Sequence, residues 1–387
     1  MITQQVAQHL DFVGGVLRFP AIQHASFKEA QVTKTTPQSI RQWYNITDVG
    51  KSPLNTQSVS QFLEQYFSPN DLTLFQTQNN LPAAQPTVIG PNTVKSPGAE
   101  ASLDIEYIMA VAENVKTFFI STPGLHEGQE PFLQWIVAMN NNTKSPFINS
   151  ISYGDTESTL TVEYTSRINA EFQKFGLGGR TLLFASGDNG VGCDKCTKLQ
   201  PNFPASSPFV TAVGGTELNS AQTTEVGVTF SSGGFSNYFA QPSYQSTAVK
   251  QYLSSVSTLP PSSSFNSSGR GFPDISAFST SFDIVIDGIN TLVDGTSCAS
   301  PTAAGIFSLL NDLRLQNNLP SLGFLNPLIY SLASSTPGAF NDITQGNNDN
   351  NCCTGFNAAP GWDPITGVGS PNYAVLKTAV LNPSLFA

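Results

Sequence analysis

Histidine, basic residues and long apolar runs are all scarce in this chain. Only three histidines occur in 387 residues, His9, His24 and His126. A serine nucleophile here has almost no imidazole to activate it, and His126, in "HEGQEPF", has no partner at zinc-ligand spacing, which leaves it a structural reading. Charged residues make up 11% of the chain, against roughly a quarter of an average domain. Of these, 17 are Lys or Arg and 27 are Asp or Glu, for a formal net charge of −10 at pH 7. That balance argues against nucleic acid or an anionic membrane surface as a partner. No apolar run reaches the ~20 residues of a membrane span, so membrane insertion is not expected. The opening "MITQQVAQHL" lacks the basic start and apolar centre of a signal peptide. Repeats and low-complexity tracts are absent.

What is present suits one large domain or two small ones. At 39% hydrophobic, the chain has ample apolar surface for a core. Its acidic, lightly charged composition fits work at acid pH. Asn-x-Ser/Thr sequons at Asn45, Asn141 and Asn266 point outside the cytosol. So do the cysteines: Cys193 and Cys196 form "CDKC", while Cys352 and Cys353 are adjacent in a Gly/Asn-rich loop. These four make either two disulfides or a four-thiolate zinc site. The adjacent pair is a cramped half-site for zinc, which favours disulfides, with the connectivity left open. Cys298, in a small-residue helix, reads as a buried free thiol.

From about residue 100 apolar strands alternate with helices. "TFFIST" (117–122), "NSISYG" (149–154), "TLLFASG" (181–187) and "FVTAVGG" (209–215) read as strands, with helical stretches between the first three. A further helix opens at Thr35 or Thr36, before Pro37. The pattern predicts an α/β fold with a parallel sheet covered on both faces, its active site at the carboxyl ends of the strands.

The segment "DGTSCASPTAAG" (294–305) is similar to the nucleophile segment of subtilisin-type proteases, where a serine opens a buried helix. With histidine scarce, the base must be sought elsewhere. In "GAEASLDIEYIMAVAENV" (98–115), Leu103, Tyr107, Ile108 and Val111 mark a helix, and Glu100 and Asp104 fall at i and i+4 on one face. On an exposed helix such a pair repels by roughly 0.2–0.5 kcal/mol and is simply solvated. Crowded carboxyls that share a proton instead give a general base for mildly acid pH. A third carboxyl, Asp188 in "SGDNG", follows a strand. It reads either as turn chemistry or, protonated, as a hydrogen-bond donor to an oxyanion.

Together, Glu100, Asp104, Asp188 and Ser297 resemble the Ser-Glu-Asp constellation of the sedolisins, acid-acting serine-carboxyl peptidases on a subtilisin-like fold. "SPGAEASLDIEYIM", "HEGQEPFLQWI", "FPASSPFVTAVGGT" and "LGFLNPLIY" extend the likeness along essentially the whole chain, nearest to the family's lysosomal tripeptidyl-peptidase branch. The resemblance implies a single large catalytic domain with a doubly wound parallel sheet. It also implies that Ser297 attacks the scissile carbonyl, Glu100 takes and returns the proton, Asp104 holds Glu100, and Asp188 steadies the oxyanion. The substrates would be peptides or unfolded proteins with free N-termini, cleaved in the lysosome or another acidic compartment.

The same resemblance implies one structural Ca²⁺, held by the carboxylates of Asp342 and Asp363 and the carbonyls of Ile343, Ala359 and Gly361. It further implies that residues 1–30 end a prosegment that inhibits the enzyme until it is removed in acid, with a peptidase domain from residue 31. As the rest of that prosegment is not in the sequence, the chain is expected to be a trimmed form. Three departures stand out. Asp294 replaces the serine of the family's "SGTS"; Ala359 replaces a glycine; and the loop before it is short and lacks one family cysteine, leaving Cys193 to pair with Cys352 or Cys353. Two alternatives remain: a sedolisin endopeptidase, and an inactive calcium-stabilised glycoprotein, which the presence of all four site residues disfavours.

Overall fold

A six-residue segment with a single apolar side chain, "TQSVSQ", forms the strand on which the sheet turns, β1 (Thr56–Gln61). Its Gln57, Ser58, Ser60 and Gln61 are fully buried. Burying such groups is tolerable only when they are hydrogen-bonded, and each side chain makes at least one bond, although Gln57 Oε1 finds no partner among the described residues. Gln57 Nε2 donates to Thr117 Oγ1 at 3.0 Å, Ser58 Oγ to Asn149 Oδ1 at 2.7 Å, and Gln61 Nε2 to Asp104 Oδ2 at 2.6 Å. Ser60 Oγ accepts from Trp135 Nε1 at 3.1 Å. The computed structural model describes residues 34–94, 97–126, 129–350 and 352–382. The expected prosegment remnant, residues 1–30, lies outside them.

The other sheet strands are β2 (Thr87–Ile89), β3 (Lys116–Ser121), β4 (Ile148–Ile151), β5 (Thr181–Ala185), β6 (Thr211–Leu218), β7 (Glu225–Gly227) and β8 (Ile275–Phe278). Their order is β8-β6-β5-β4-β1-β3-β2, every neighbour parallel, with β7 antiparallel on β6. The strands expected at 117–122, 149–154, 181–187 and 209–215 are β3 to β6. β1 escaped the sequence pattern.

Both faces are covered, as β5 shows: Leu183 enters one apolar core, while Leu182 and Phe184 enter another. Helices α1 (Pro37–Trp43), α2 (Pro69–Gln78), α3 (Ala99–Val111), α4 (Phe132–Asn141), α5 (Val162–Leu177) and α6 (Thr296–Gln316) pack around the sheet. Thr36 caps α1, its Oγ1 accepting from Ser39 N at 3.3 Å. Trp135 and Ile136 of α4 and Ile168 and Phe172 of α5 fill one core. The opposite core holds α3 and α6, which run against each other. The approach is close enough that a Cβ on Gly305 of α6 would lie 2.7 Å from the Val111 side chain of α3. A hairpin of β9 (Phe282–Ile286) and β10 (Ile289–Val293) leads into α6. Among the described residues no helix is long and apolar enough to cross a membrane.

At the β8 edge, Arg270 and Asp274 form a fully buried ion pair. Asp274 also accepts from Ala212 N at 2.8 Å and Tyr330 Oη at 3.0 Å, locking β8 to β6. Removing one member leaves an uncompensated buried charge, at a cost of about 3–5 kcal/mol. Arg270→Ala is therefore expected to lower the denaturant midpoint sharply, whereas Arg270→Met with Asp274→Leu costs less. Equal losses for the two variants would contradict the account.

Candidate active site

The carboxyl ends of the strands converge on one cleft. Gln61 is the last residue of β1, Ser152 follows β4, and Asp188 follows β5. Glu100 comes from the first turn of α3 and Ser297 from the first turn of α6. The cleft, about 190 Å³, is lined by Ser297, Thr296, Glu100, Asp188 and Ser152 among others. Asp104 lies one helical turn behind Glu100 and is fully buried. Thus the four residues singled out in the sequence meet at one place.

Local backbone chemistry sets the serine. Gly295 holds φ +149°, and a Cβ there would sit 3.0 Å from Asp188 Oδ2. Only glycine permits this conformation and this approach. The turn it makes places Ser297 among the first N–H groups of α6, where the helix dipole favours negative charge. Pro301 supplies no N–H to the Ser297 carbonyl, and that carbonyl lies 3.5 Å from Ser152 Oγ. The Ser152 hydroxyl makes its stronger bond to Asp104 Oδ1, at 2.7 Å.

Electrostatics sets the carboxyls of the cleft apart from ordinary surface acids. Glu100 Oε1 is buried and accepts no N–H or O–H among the described residues. Burial raises the Glu100 carboxyl well above its usual range, the neighbouring Asp104 raises it further, and the Ser297 hydroxyl opposes both. Asp104 is raised to about 7 by burial, against hydrogen bonds from Ser152 and Gln61. The face that would be solvated on an isolated helix is instead enclosed. Gln61 is in turn fixed by Tyr153, whose hydroxyl donates to Gln61 Oε1 at 2.7 Å. Gln61, Ser152 and Tyr153 were not foreseen. The available signal was polarity at the end of a buried strand and in "SISYGD".

Asp188 Oδ1 accepts from Thr296 N at 2.7 Å and Thr296 Oγ1 at 2.8 Å. Burial raises its carboxyl, these two bonds lower it, and the charge of Asp294 raises it. Protonated, such a group donates a hydrogen bond rather than repelling an oxyanion. Asp294 also lines the cleft.

The remaining candidate residues lie elsewhere. Asp342 Oδ2 accepts from Gly361 N at 2.9 Å, and Asp363 Oδ2 from Ala359 N at 3.2 Å. Both carboxylates therefore converge on the 359–363 turn. Ile343 is buried beside Asp342. Asp363 is fully buried, and burial raises its carboxyl to about 7. Ile365 N and Thr366 N also donate to Asp363 Oδ1 at 2.9 Å, so its burial is already partly compensated; with Asp342 it offers carboxylate oxygens of the kind a hard divalent cation takes. Ala359 is not among the positive-φ residues, so its backbone accommodates the missing glycine.

The cysteines pair as Cys193–Cys353 and Cys196–Cys352, and Cys298 is buried and free. The two bonds tie the loop after Asp188 to the loop at 352–353, and Val191 N reinforces the link by donating to Asn348 O at 3.0 Å. His126 stacks on Tyr164 with ring centroids 4.1 Å apart.

Residues 88–321 match the model of the subtilase family. The chain is 44% identical to tripeptidyl-peptidase 1 of Canis lupus familiaris over 409 residues, covering 99% of this chain and 72% of that protein. It is 41% identical to tripeptidyl-peptidase 1 of Dictyostelium discoideum, covering 96% of this chain and 69% of that one. Among solved structures it is similar to Pseudomonas sedolisin, a serine-carboxyl proteinase, with a TM-score of 0.72 at 24% identity over 91% of this chain and 99% of that one.

The raised carboxyls carry a consequence for stability. Glu100, Asp104 and Asp188 bind their protons more tightly folded than unfolded, where values near 4.5 and 3.8 apply. Their contribution is complete below about pH 4 and is lost as pH rises through the folded values, which reach about 7 for Asp104. The melting temperature should therefore be several degrees higher at pH 4.5 than at pH 7.5, measured by differential scanning calorimetry. A higher value at pH 7.5 would contradict this electrostatic reading.

Proposed function

Because the chain belongs to the subtilase family, as a tripeptidyl-peptidase 1-like serine-carboxyl peptidase, we propose that in acid it releases tripeptides from free peptide N-termini. Ser297 Oγ attacks the scissile carbonyl carbon while Glu100 takes its proton. Glu100 then protonates the leaving amine, and the peptide C–N bond breaks to give an acyl-enzyme. Water, deprotonated by the same carboxylate, attacks the ester, and the proton returns to Ser297. Asp104 shares a proton with Glu100 and tunes its basicity. Protonated Asp188 and the first-turn N–H groups of α6 face the oxyanion.

The observation that carries the exopeptidase reading is the charge of the cleft. Besides Asp188, which this mechanism keeps protonated, Glu100, Glu130, Asp155 and Asp294 line it, with no Lys or Arg among the described lining residues. A substrate bearing a free ammonium group complements such a surface, and one with a blocked terminus does not.

The finer attributes are proposals of the same kind. One Ca²⁺ would be held by Asp342 and Asp363 with the Ile343, Ala359 and Gly361 carbonyls; its contribution is structural, cross-linking loops away from Ser297. An acidic compartment such as the lysosome suits the raised carboxyls, and an inhibitory prosegment would keep the enzyme silent before arrival. Asn45 and Asn141 are exposed and suit glycan attachment. Asn266 is half-buried, with Nδ2 donating to Ser236 O at 3.1 Å, and suits it less well.

Two measurements follow. Cleavage of a tripeptide-amide reporter with a free N-terminus is expected only in acid. Ser297→Ala should abolish it, and Glu100→Gln should lower it by about 10²–10⁴-fold. Acetylating the reporter's N-terminus should cut the rate strongly; equal cleavage of both forms would favour an endopeptidase. Second, chelation should lower the melting temperature, with Ca²⁺ restoring it by an amount equivalent to about 2.7 kcal/mol at a hundredfold excess over Kd. Asp342→Ala should remove that response, and a Ca²⁺-insensitive wild type would exclude the ion.

A further inference from the structure

We infer that Glu157 is a positioning residue for the substrate: its buried carboxylate fixes the wall of the cleft against which the peptide chain lies. The inference rests on the peptidase reading above and adds to it a residue outside the reacting groups. The wall has two segments. Asp155–Thr156 pairs antiparallel with Asn202–Phe203, and Gly154, Asp155, Thr156, Asn202, Phe203 and Ala205 all line the cleft. The two are pressed together at Gly154, where a Cβ would lie 2.8 Å from Phe203 O.

Glu157 directly follows the first segment and is fully buried. Its backbone N–H donates to Pro201 O at 2.7 Å, at the entrance to the second segment. Its carboxylate gathers three further hydrogen bonds. Oε1 accepts from Ser206 Oγ at 2.8 Å and from Ser236 Oγ at 2.5 Å, and Oε2 accepts from Asn237 N at 2.7 Å. Ser206 stands just past the second segment, its N–H donating to Asn202 O at 2.8 Å. Ser236 and Asn237 belong to a third segment, the strand Gly234–Ala240, none of which lines the cleft. One side chain thus ties both halves of the wall to a support outside it.

These partners require an acceptor at both oxygens. Ser236 Oγ already accepts from Tyr238 N at 3.1 Å and Phe239 N at 2.9 Å, so its own proton must go to Glu157. Asn237 N–H can only donate. A glutamine at this position has one acceptor where two are needed, and its NH₂ would face either the Ser236 hydroxyl or Asn237 N–H, donor against donor. A buried donor left unmatched is costly, and the displacement that relieves it falls on the segment carrying Gly154, Asp155 and Thr156. Glu157 bonds to none of Ser297, Glu100, Asp104 and Asp188, so it acts on the reaction through where the substrate rests.

Glu157→Gln tests this with the free N-terminal tripeptide-amide reporter. KM should rise about tenfold, with kcat nearly unchanged. Diisopropyl fluorophosphate, too small to need the wall, reports on the nucleophile alone: Ser297 Oγ attacks phosphorus as Glu100 takes its proton, and fluoride leaves. The rate of that labelling should match the wild type. Ser206→Ala deletes one hydrogen bond to the same carboxylate; it should raise KM by a smaller factor, and it decides the outcome if the glutamine variant does not fold. An unmoved KM in the folded variants overturns the proposal. So does labelling that slows in step with reporter cleavage, since that marks a general loosening of the fold. A wild type that neither cleaves the reporter nor takes the label refutes the peptidase reading itself.

Discussion

A carboxyl group enclosed without a cation keeps its proton, and the rest of this site depends on that constraint. Burial penalises the ionised form, and among the described residues lining the cleft no Lys or Arg compensates Glu100, Asp104 or Asp188. The acids therefore titrate where an ordinary carboxyl would already be ionised. A serine peptidase can then run without histidine, provided that it works where protons are plentiful. The scarcity of basic residues across the chain and the chemistry of the site are two expressions of one adaptation.

Keeping like-charged groups together requires a scaffold that outweighs their repulsion, and the two cores provide it. α3 and α6 are held against the sheet by apolar packing, and Glu100 and Ser297 meet where these two helices lie side by side. Behind them, Gln61 and Ser152 saturate Asp104 and fix its orientation. That enclosed, hydrogen-bonded arrangement is unlike the solvated acidic face of an ordinary helix. It also speaks against an inactive binding protein, which would have no need to enclose an acid cluster at this cost.

Much of this was legible in the sequence where hydrophobic periodicity or a short motif carried it. Leu103, Tyr107, Ile108 and Val111 marked α3, and the apolar runs marked β3 to β6. β1 was not legible, because its side chains are polar and the Asn149, Thr117, Trp135 and Asp104 groups that satisfy them come from distant segments. The same reason hid Gln61 and Ser152, whose roles exist only once β1, β4 and α3 are side by side. Disulfide connectivity stayed open because Cys352 and Cys353 are adjacent, so spacing could not choose between them. The orientation of Asp294 depended on the turn at Gly295, which only the fold reveals.

The contact between Gly305 and Val111 reaches further than its place suggests. Gly305 lies eight residues along α6 from Ser297, about 12 Å at 1.5 Å per residue. Both residues belong to one helix, interrupted only at Pro301, so the spacing of the crossing and the placement of Ser297 beside Glu100 are linked, and the absence of one methyl group helps to set both. Evolutionary drift at a silent-looking interior position would thus be disciplined by chemistry at the far end of the lever. An inherited side chain there would press α6 away from α3 while leaving every reacting group in the polypeptide.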